Sequence, residues 1–116
     1  LCMIQQVASC GQRIFGFHIH EGTRCSGTSV DHFADAGSHY NPSNCPHPMH
    51  AGDLPPLFVN NGIFATITPQ FTVSDVIGRT VIVHSDPDDF HTQPSGNSGE
   101  KIAYGMIKRV DENRAG

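Results

Sequence analysis

Between Arg13 and His20 the chain reads RIFGFHIH, and alternate positions separate into two sets. Ile14, Gly16, His18 and His20 fall on one side of an extended strand, with Phe15, Phe17 and Ile19 on the other. His18 and His20 therefore point the same way, about 7 Å apart along the strand, and form a natural two-point chelate. Further strand-like runs are Met3–Val7, Ile63–Thr68 (IFATIT), Phe71–Val73, Thr80–His84 (TVIVH) and a last strand over Lys101–Val110. Two polar stretches interrupt them, Glu21–Pro56 and Ser85–Glu100, both without sustained periodicity. A stretch as long as the first is uncommon in a compact domain unless it is functional or disordered, and its histidines favour function. Strands separated by turns, with no convincing amphipathic helix and no internal repeat, predict an all-β antiparallel sandwich or barrel with two long functional loops.

Composition sharpens this picture in three ways. Gly and Pro make up 12 and 8 of the 116 residues, which suits short strands joined by many turns, and the length suits one domain over residues 1–116. The net charge of −4, with no basic stripe, argues against a nucleic-acid partner. No apolar run approaches the ~18 residues of a membrane span. The chain opens at Leu1 rather than Met, as it would if an export signal had been removed or lay outside this sequence, so its start does not bear on location.

Eight histidines is a high number for this length, and they are spread from His18 to His91. Histidine is the commonest metal ligand. The segment NCPHPMHAGDL, Asn44–Leu54, concentrates the signal, and Pro46 and Pro48 exclude a regular helix there. Four cysteines, Cys2, Cys10, Cys25 and Cys45, form no CxxC pair and so favour disulfides in an oxidising compartment over a zinc knuckle. They place the protein outside the cytoplasm, whether periplasmic, at the cell surface or secreted.

Five segments occur in order: GFHIHEG (Gly16–Gly22), HYNP (His39–Pro42), HAGDL (His50–Leu54), GRTVIVH (Gly78–His84) and PSGNSGEKIAYG (Pro94–Gly105). Together they resemble the copper/zinc superoxide dismutase family, bacterial type, from Gly16 onward. The resemblance implies a Greek-key antiparallel β-barrel or sandwich. It implies dismutation of superoxide to oxygen and hydrogen peroxide by Cu(2+)/Cu(+) cycling, with Zn(2+) structural. The implied copper ligands are His18, His20, His39 and His84. The implied zinc ligands are His39, His47, His50 and Asp53, with His39 bridging the two metals. Three imidazoles and a carboxylate suit tetrahedral zinc, and four imidazoles with an open side suit copper. Asp88 corresponds to the aspartate that orients ligand histidines of both metals. The alternative is a noncatalytic metal-binding domain of the same fold, used in metal handling or partner binding.

The chain departs from the family pattern at four points. Lys101 stands where an arginine is usual; it is expected to attract the anion and to act in catalysis beside His39, without arginine's planar fork of donors. The link from His47 to His50 is much shorter than usual. Cys25 matches one end of the usual disulfide, but Tyr104 occupies the other. Cys45 is then the nearest substitute, and a Cys25–Cys45 bridge would close a loop of about 20 residues and stabilise by roughly 3 kcal/mol. Finally, 15 residues precede GFHIHEG, fewer than usual for the opening hairpin. Part of that hairpin is expected to be lacking or to lie outside this sequence, leaving an edge that a partner chain, in the simplest case a second copy in a homodimer, could cover. His32 and His91 match no ligand position.

Overall fold

A computed structural model of the chain describes residues 2–3, 14–58 and 68–110. Its strands are β1 (Cys2–Met3), β2 (Ile14–Phe15), β3 (Phe17–His20), β4 (Leu57–Phe58), β5 (Thr80–His84) and β6 (Lys101–Met106). Strands β1, β6, β5 and β3 form one antiparallel sheet in that order, and β2 pairs with β4 in a second. The all-β antiparallel architecture is as expected. The expected strand over Ile63–Thr68 lies outside the described residues except for Thr68, as does most of Met3–Val7.

One expected strand is not a strand. Val73–Val76 forms a single helical turn, α1, entered from Thr72. The backbone N–H of Thr72 donates to Asp75 Oδ2 at 2.9 Å, half of a capping box that an isolated TVSD allows as readily as an extended conformation. The turn is held from outside: Arg79 donates to Asp75 O and to Glu21 O, and its guanidinium lies 4.1 Å from the Tyr40 ring centroid.

The period-2 pattern of β3 and β5 decides what lies on each sheet face. Register pairs His18↔Ile82 and His20↔Thr80 share one face, and Ile19↔Val81 the other. Ile19 packs with Leu54 and Val76, joined by Phe17, Tyr40, Phe71, Val81 and Ile107. On the histidine face, Ile82 packs with Phe33 and Ala36, against which Cys25 and Tyr104 lean. The loop after β3 thus folds back over the sheet, capped on its way by a short 3-10 turn, Ala34–Ala36. Cys45 carries a free thiol, directed at Ser43 O, so the expected Cys25–Cys45 bridge is not formed. Cys25 is committed to the Phe33 cluster, while the Asn41 side-chain amide holds Cys45 through its backbone N–H and C=O.

The outer edge of β3 is closed by this same loop. Ile19 N–H donates to Gly52 O, and Ile19 O accepts from Tyr40 N–H, both at 2.8 Å; Gly52 N–H then donates to Tyr40 O at 2.9 Å. A side chain at position 52 would overlap Ile19 O. Gly52→Ala should therefore lift the loop from the strand, destabilising the metal-stripped protein by roughly 1–3 kcal/mol. Denaturant unfolding against the parent checks this; an unchanged midpoint would mean that the loop docks by other contacts.

Candidate metal centre

Three backbone features bring the polar side chains together. The edge bonding of β3 lays His39 beside His20 and Asp53 beside His18. Strand β5 supplies His84 at its end, where the register with β6 shifts between Val83 and His84. Val83 faces Ala103 but His84 faces Lys101, a local irregularity of the kind that re-aims side chains near sites. The loop after β5 then carries Asp88 back over the cluster.

All six histidines of the cluster, His18, His20, His39, His47, His50 and His84, are buried, as are Asp53 and Asp88. Burial of an imidazole calls for a partner at each nitrogen. In four rings a protein acceptor takes one nitrogen. His18 Nε2 donates to Asp88 Oδ2 at 2.7 Å, and His47 Nε2 to Asp88 Oδ1 at 2.8 Å. His20 Nδ1 donates to Gly37 O at 2.8 Å, and His84 Nδ1 to Gly99 O at 3.3 Å. The opposite nitrogens converge instead on two points.

At the first point, His20 Nε2 and His84 Nε2 stand 3.2 Å apart. One ligand atom each from His18, His20, His39 and His84 lies within 4.8 Å of the others. At the second, His39 Nδ1 lies 2.7 Å from Asp53 Oδ1 and 3.1 Å from His50 Nδ1. His47 Nδ1 and His50 Nδ1 lie 3.0 and 3.1 Å from Asp53 Oδ2. Ligands at zinc's usual ~2.0–2.1 Å around a tetrahedron stand about 3.3–3.4 Å apart, close to these spacings. By distance alone His18 also groups with His39, His47 and Asp53. With Nε2 on Asp88, Nδ1 is the atom that His18 offers to either group. The short link between His47 and His50 keeps both rings within reach of Asp53, with centroids 5.5 Å apart.

Among the described residues, three buried ring atoms have no hydrogen-bond partner: His18 Nδ1, His39 Nε2 and His47 Nδ1. Three buried imidazole nitrogens left open at one cluster, with a carboxylate beside them, fit two cations sharing His39.

Charge in the cluster follows burial. Burial, then the neighbouring His39 and His84, push His18 down to about 2. His20 falls to about 2 and His84 to about 4, again chiefly from burial. His50 is lowered for the same first reason. Burial alone would raise the Asp53 carboxyl, but the hydrogen bond and charge of His39, with His47 and His50, hold it below its ordinary value. Burial thus favours the neutral form of His18, His20, His50 and His84, the form that ligates metal.

The Asp88 carboxylate is itself tightly held. It also accepts Phe90 N–H at 2.8 Å on Oδ1, with Phe90 in the left-handed region at φ 66°. Gly96, at φ 73°, leaves the space above it: a Cβ there would overlap Asp88 Oδ1 and crowd His47 Nε2. Gln93 clamps His47 at its backbone, accepting its N–H at 2.8 Å and donating to its C=O at 2.7 Å. Neither Gln93 nor Gly96 stood out in the sequence; PSGNSG marks a turn without saying what it faces. His91 is exposed and pairs within its own loop, and His32 lines the pocket rim rather than the cluster.

A pocket of about 540 Å³ opens over the first point, with His20, His39 and His84 at its floor and Lys101 in its wall. Lys101 Nζ donates to Asp31 Oδ2 at 2.7 Å.

The buried rings predict an acid-sensitive metal-free protein. His18, His20 and His84 stay neutral when folded but take up protons near 6.5 when unfolded, so stability is intact above that pH and falls below it. Each such ring costs about 1.4 kcal/mol per pH unit over this range. Denaturant unfolding of chelator-stripped protein at pH 7, 6 and 5 should show a steady loss, and a flat profile would contradict the assignment.

The family model of copper/zinc superoxide dismutase (SODC) matches residues 3–107 of this chain. The chain is 32% identical over 117 residues to a copper-zinc superoxide dismutase of Deinococcus radiodurans, covering 83% of this chain and 64% of that protein. Against one of Legionella pneumophila the identity is 34% over 103 residues, covering 80% and 61%. The chain thus spans a little under two thirds of these relatives. The solved copper/zinc superoxide dismutase of Brucella abortus superposes with a TM-score of 0.70 at 29% identity, over 83% of this chain and 73% of that one. A double mutant of a SOD-like protein from Bacillus subtilis superposes with a TM-score of 0.60 at 35% identity, over 84% and 72%. With a family match along nearly its whole length and a buried histidine cluster able to hold metal, this chain belongs to the copper/zinc superoxide dismutase family.

Proposed function

We propose that the protein is a superoxide dismutase, converting superoxide to oxygen and hydrogen peroxide. In this reading His18, His20, His39 and His84 hold copper, and His39, His47, His50 and Asp53 hold zinc. The observation that carries it is the pair of open nitrogens His18 Nδ1 and His39 Nε2, buried beside His20 and His84 beneath a pocket walled by a lysine. Copper, when bound, supplies one-electron redox chemistry, and zinc a fixed positive charge on the far side of His39.

The chain's own residues divide the remaining work. Asp88 is a positioning residue: it fixes the orientation of His18 and His47 together, so that both clusters are held by one carboxylate. Gly37 O and Gly99 O do the same for His20 and His84. His39 has Nδ1 toward Asp53 and Nε2 toward the pocket floor, so Nε2 is the buried atom at which a proton can be kept beside a bound anion. Lys101, facing His84 in register, supplies positive charge at the wall and attracts the anion. As an ammonium it draws and holds the anion without the fixed two-point fork of a guanidinium.

A noncatalytic metal-binding domain is the second reading, favoured by the likeness to the SOD-like Bacillus subtilis protein. It would need the clusters but neither the pocket nor Lys101. We also place the protein outside the cytoplasm as a single domain; among the described residues no helix is long and apolar enough to cross a membrane. A second copy is the proposed partner, supported by Ile14 and Phe58, register partners on β2 and β4 that are 40% and 53% exposed.

Metal analysis of protein loaded with copper and zinc, paired with a superoxide-consumption assay, tests the leading reading. Near one copper and one zinc per chain with activity supports it; full loading without activity favours the second reading. His18→Ala should lower activity at least ~100-fold while zinc content stays close to the parent's, since in this reading zinc keeps His39, His47, His50 and Asp53. Lys101→Ala should lower the rate by up to roughly tenfold and flatten its dependence on ionic strength. An unaltered salt response would remove Lys101 from anion attraction.

A further inference from the structure

Lys101 does not face the pocket as a lone cation. Among the described residues lining that pocket it is the one lysine or arginine, whereas Asp31 and Glu100 are both carboxylates. Its ammonium bonds Asp31 Oδ2 at 2.7 Å, with the lysine side chain 15% exposed and the aspartate 43%.

This pairing is built by the loop rather than left to two mobile side chains. Asp31 Oδ1 accepts Phe33 N–H at 3.1 Å, and Phe33 is anchored in the core beneath the loop. The Asp31 backbone is fixed at both ends: its N–H donates to Thr28 Oγ1 at 3.1 Å, and its carbonyl accepts Thr28 N–H at 2.7 Å and Ala34 N–H at 3.3 Å. The carboxylate is therefore delivered to Lys101 by a turn whose own bonds are satisfied.

We infer that Asp31 is a counter-charge that sets how strongly the pocket draws in small anions, holding the Lys101 ammonium in place while cancelling most of its field. The inference rests on reading the pocket as the route to a copper held by His18, His20, His39 and His84. Opposite unit charges in contact act on a distant anion as a dipole, whose attraction decays faster than that of a single charge. Among the lysine and carboxylate side chains of the wall, one cation stands against two carboxylates, a net negative balance. Removing the Asp31 charge makes the fixed charges of the wall balance.

Asp31→Asn tests this directly, because asparagine retains an oxygen for Phe33 N–H and loses only the charge. The probe is azide, titrated into the copper- and zinc-loaded protein and followed by visible absorption. At about 10 mM ionic strength, where screening is weak, the variant should bind azide roughly two- to fivefold more tightly than the parent. The gain should shrink near about 0.15 M salt. Asp31→Ser, which also offers a short oxygen acceptor, should behave the same way and serves should the first variant fold poorly. Lys101→Gln should shift azide affinity in the opposite direction. Unchanged or weaker azide binding in both Asp31 variants, or no azide response in any protein, would overturn the inference. The titration reads anion binding whether or not the loaded protein consumes superoxide. A failed dismutase reading and a failed role for Asp31 therefore give different results.

Discussion

The outer edge of β3 is the constraint on which the rest of the molecule depends. A sheet edge presents unpaired backbone groups that must find partners. Here the partners come from the protein's own loop, as Tyr40 and Gly52 bond the two sides of Ile19. Because side chains alternate along a strand, the bonds that satisfy Ile19 place residues 39 and 53 beside His20 and His18. Edge protection and assembly of the histidine cluster are thus one event. Ile19, facing the other way, buries its side chain with Leu54 and Val76, so the apolar core holds the strand on which the site is built.

A second layer of order comes from polar atoms that burial leaves no freedom. Six imidazoles packed together would be costly unless their nitrogens were satisfied. Asp88, Gly37 O and Gly99 O satisfy one nitrogen in each of four rings and thereby aim the other. Asp88 is the strictest case, since one carboxylate orients His18 and His47, receives Phe90 N–H and fills space that only a glycine at position 96 leaves open. The same economy reaches the pocket wall, where the turn carrying Asp31 delivers its carboxylate to Lys101.

Much of the site was legible in the chain. HIH within an alternating strand, HYNP, HAGDL and a terminal histidine on TVIVH supply most of the side chains that the fold brings into the buried cluster, and their order carries the family likeness. The readings that went astray share a cause, which is that short polar segments permit several local structures. Phe71–Val73 reads as a strand, yet Thr72 and Asp75 make a helical turn there once Arg79 ties it to Glu21 and Tyr40. Cys25 and Cys45 suggest a bridge by proximity in sequence, yet packing sends Cys25 to the Phe33 cluster and holds Cys45 elsewhere.

The sequence by itself determined the strand alternation that puts His18 and His20 on one face, the all-β class and the side-chain types that meet in the buried cluster. Those are properties of local period and side-chain chemistry. Tertiary structure alone decided which nitrogen of each ring is open, that Gln93 grips His47 and that Gly96 must yield space to Asp88. It also decided that Lys101 meets Asp31, 70 residues away in the chain. Each of these depends on which loop atoms arrive at a given buried point, and no local pattern encodes a meeting of that kind.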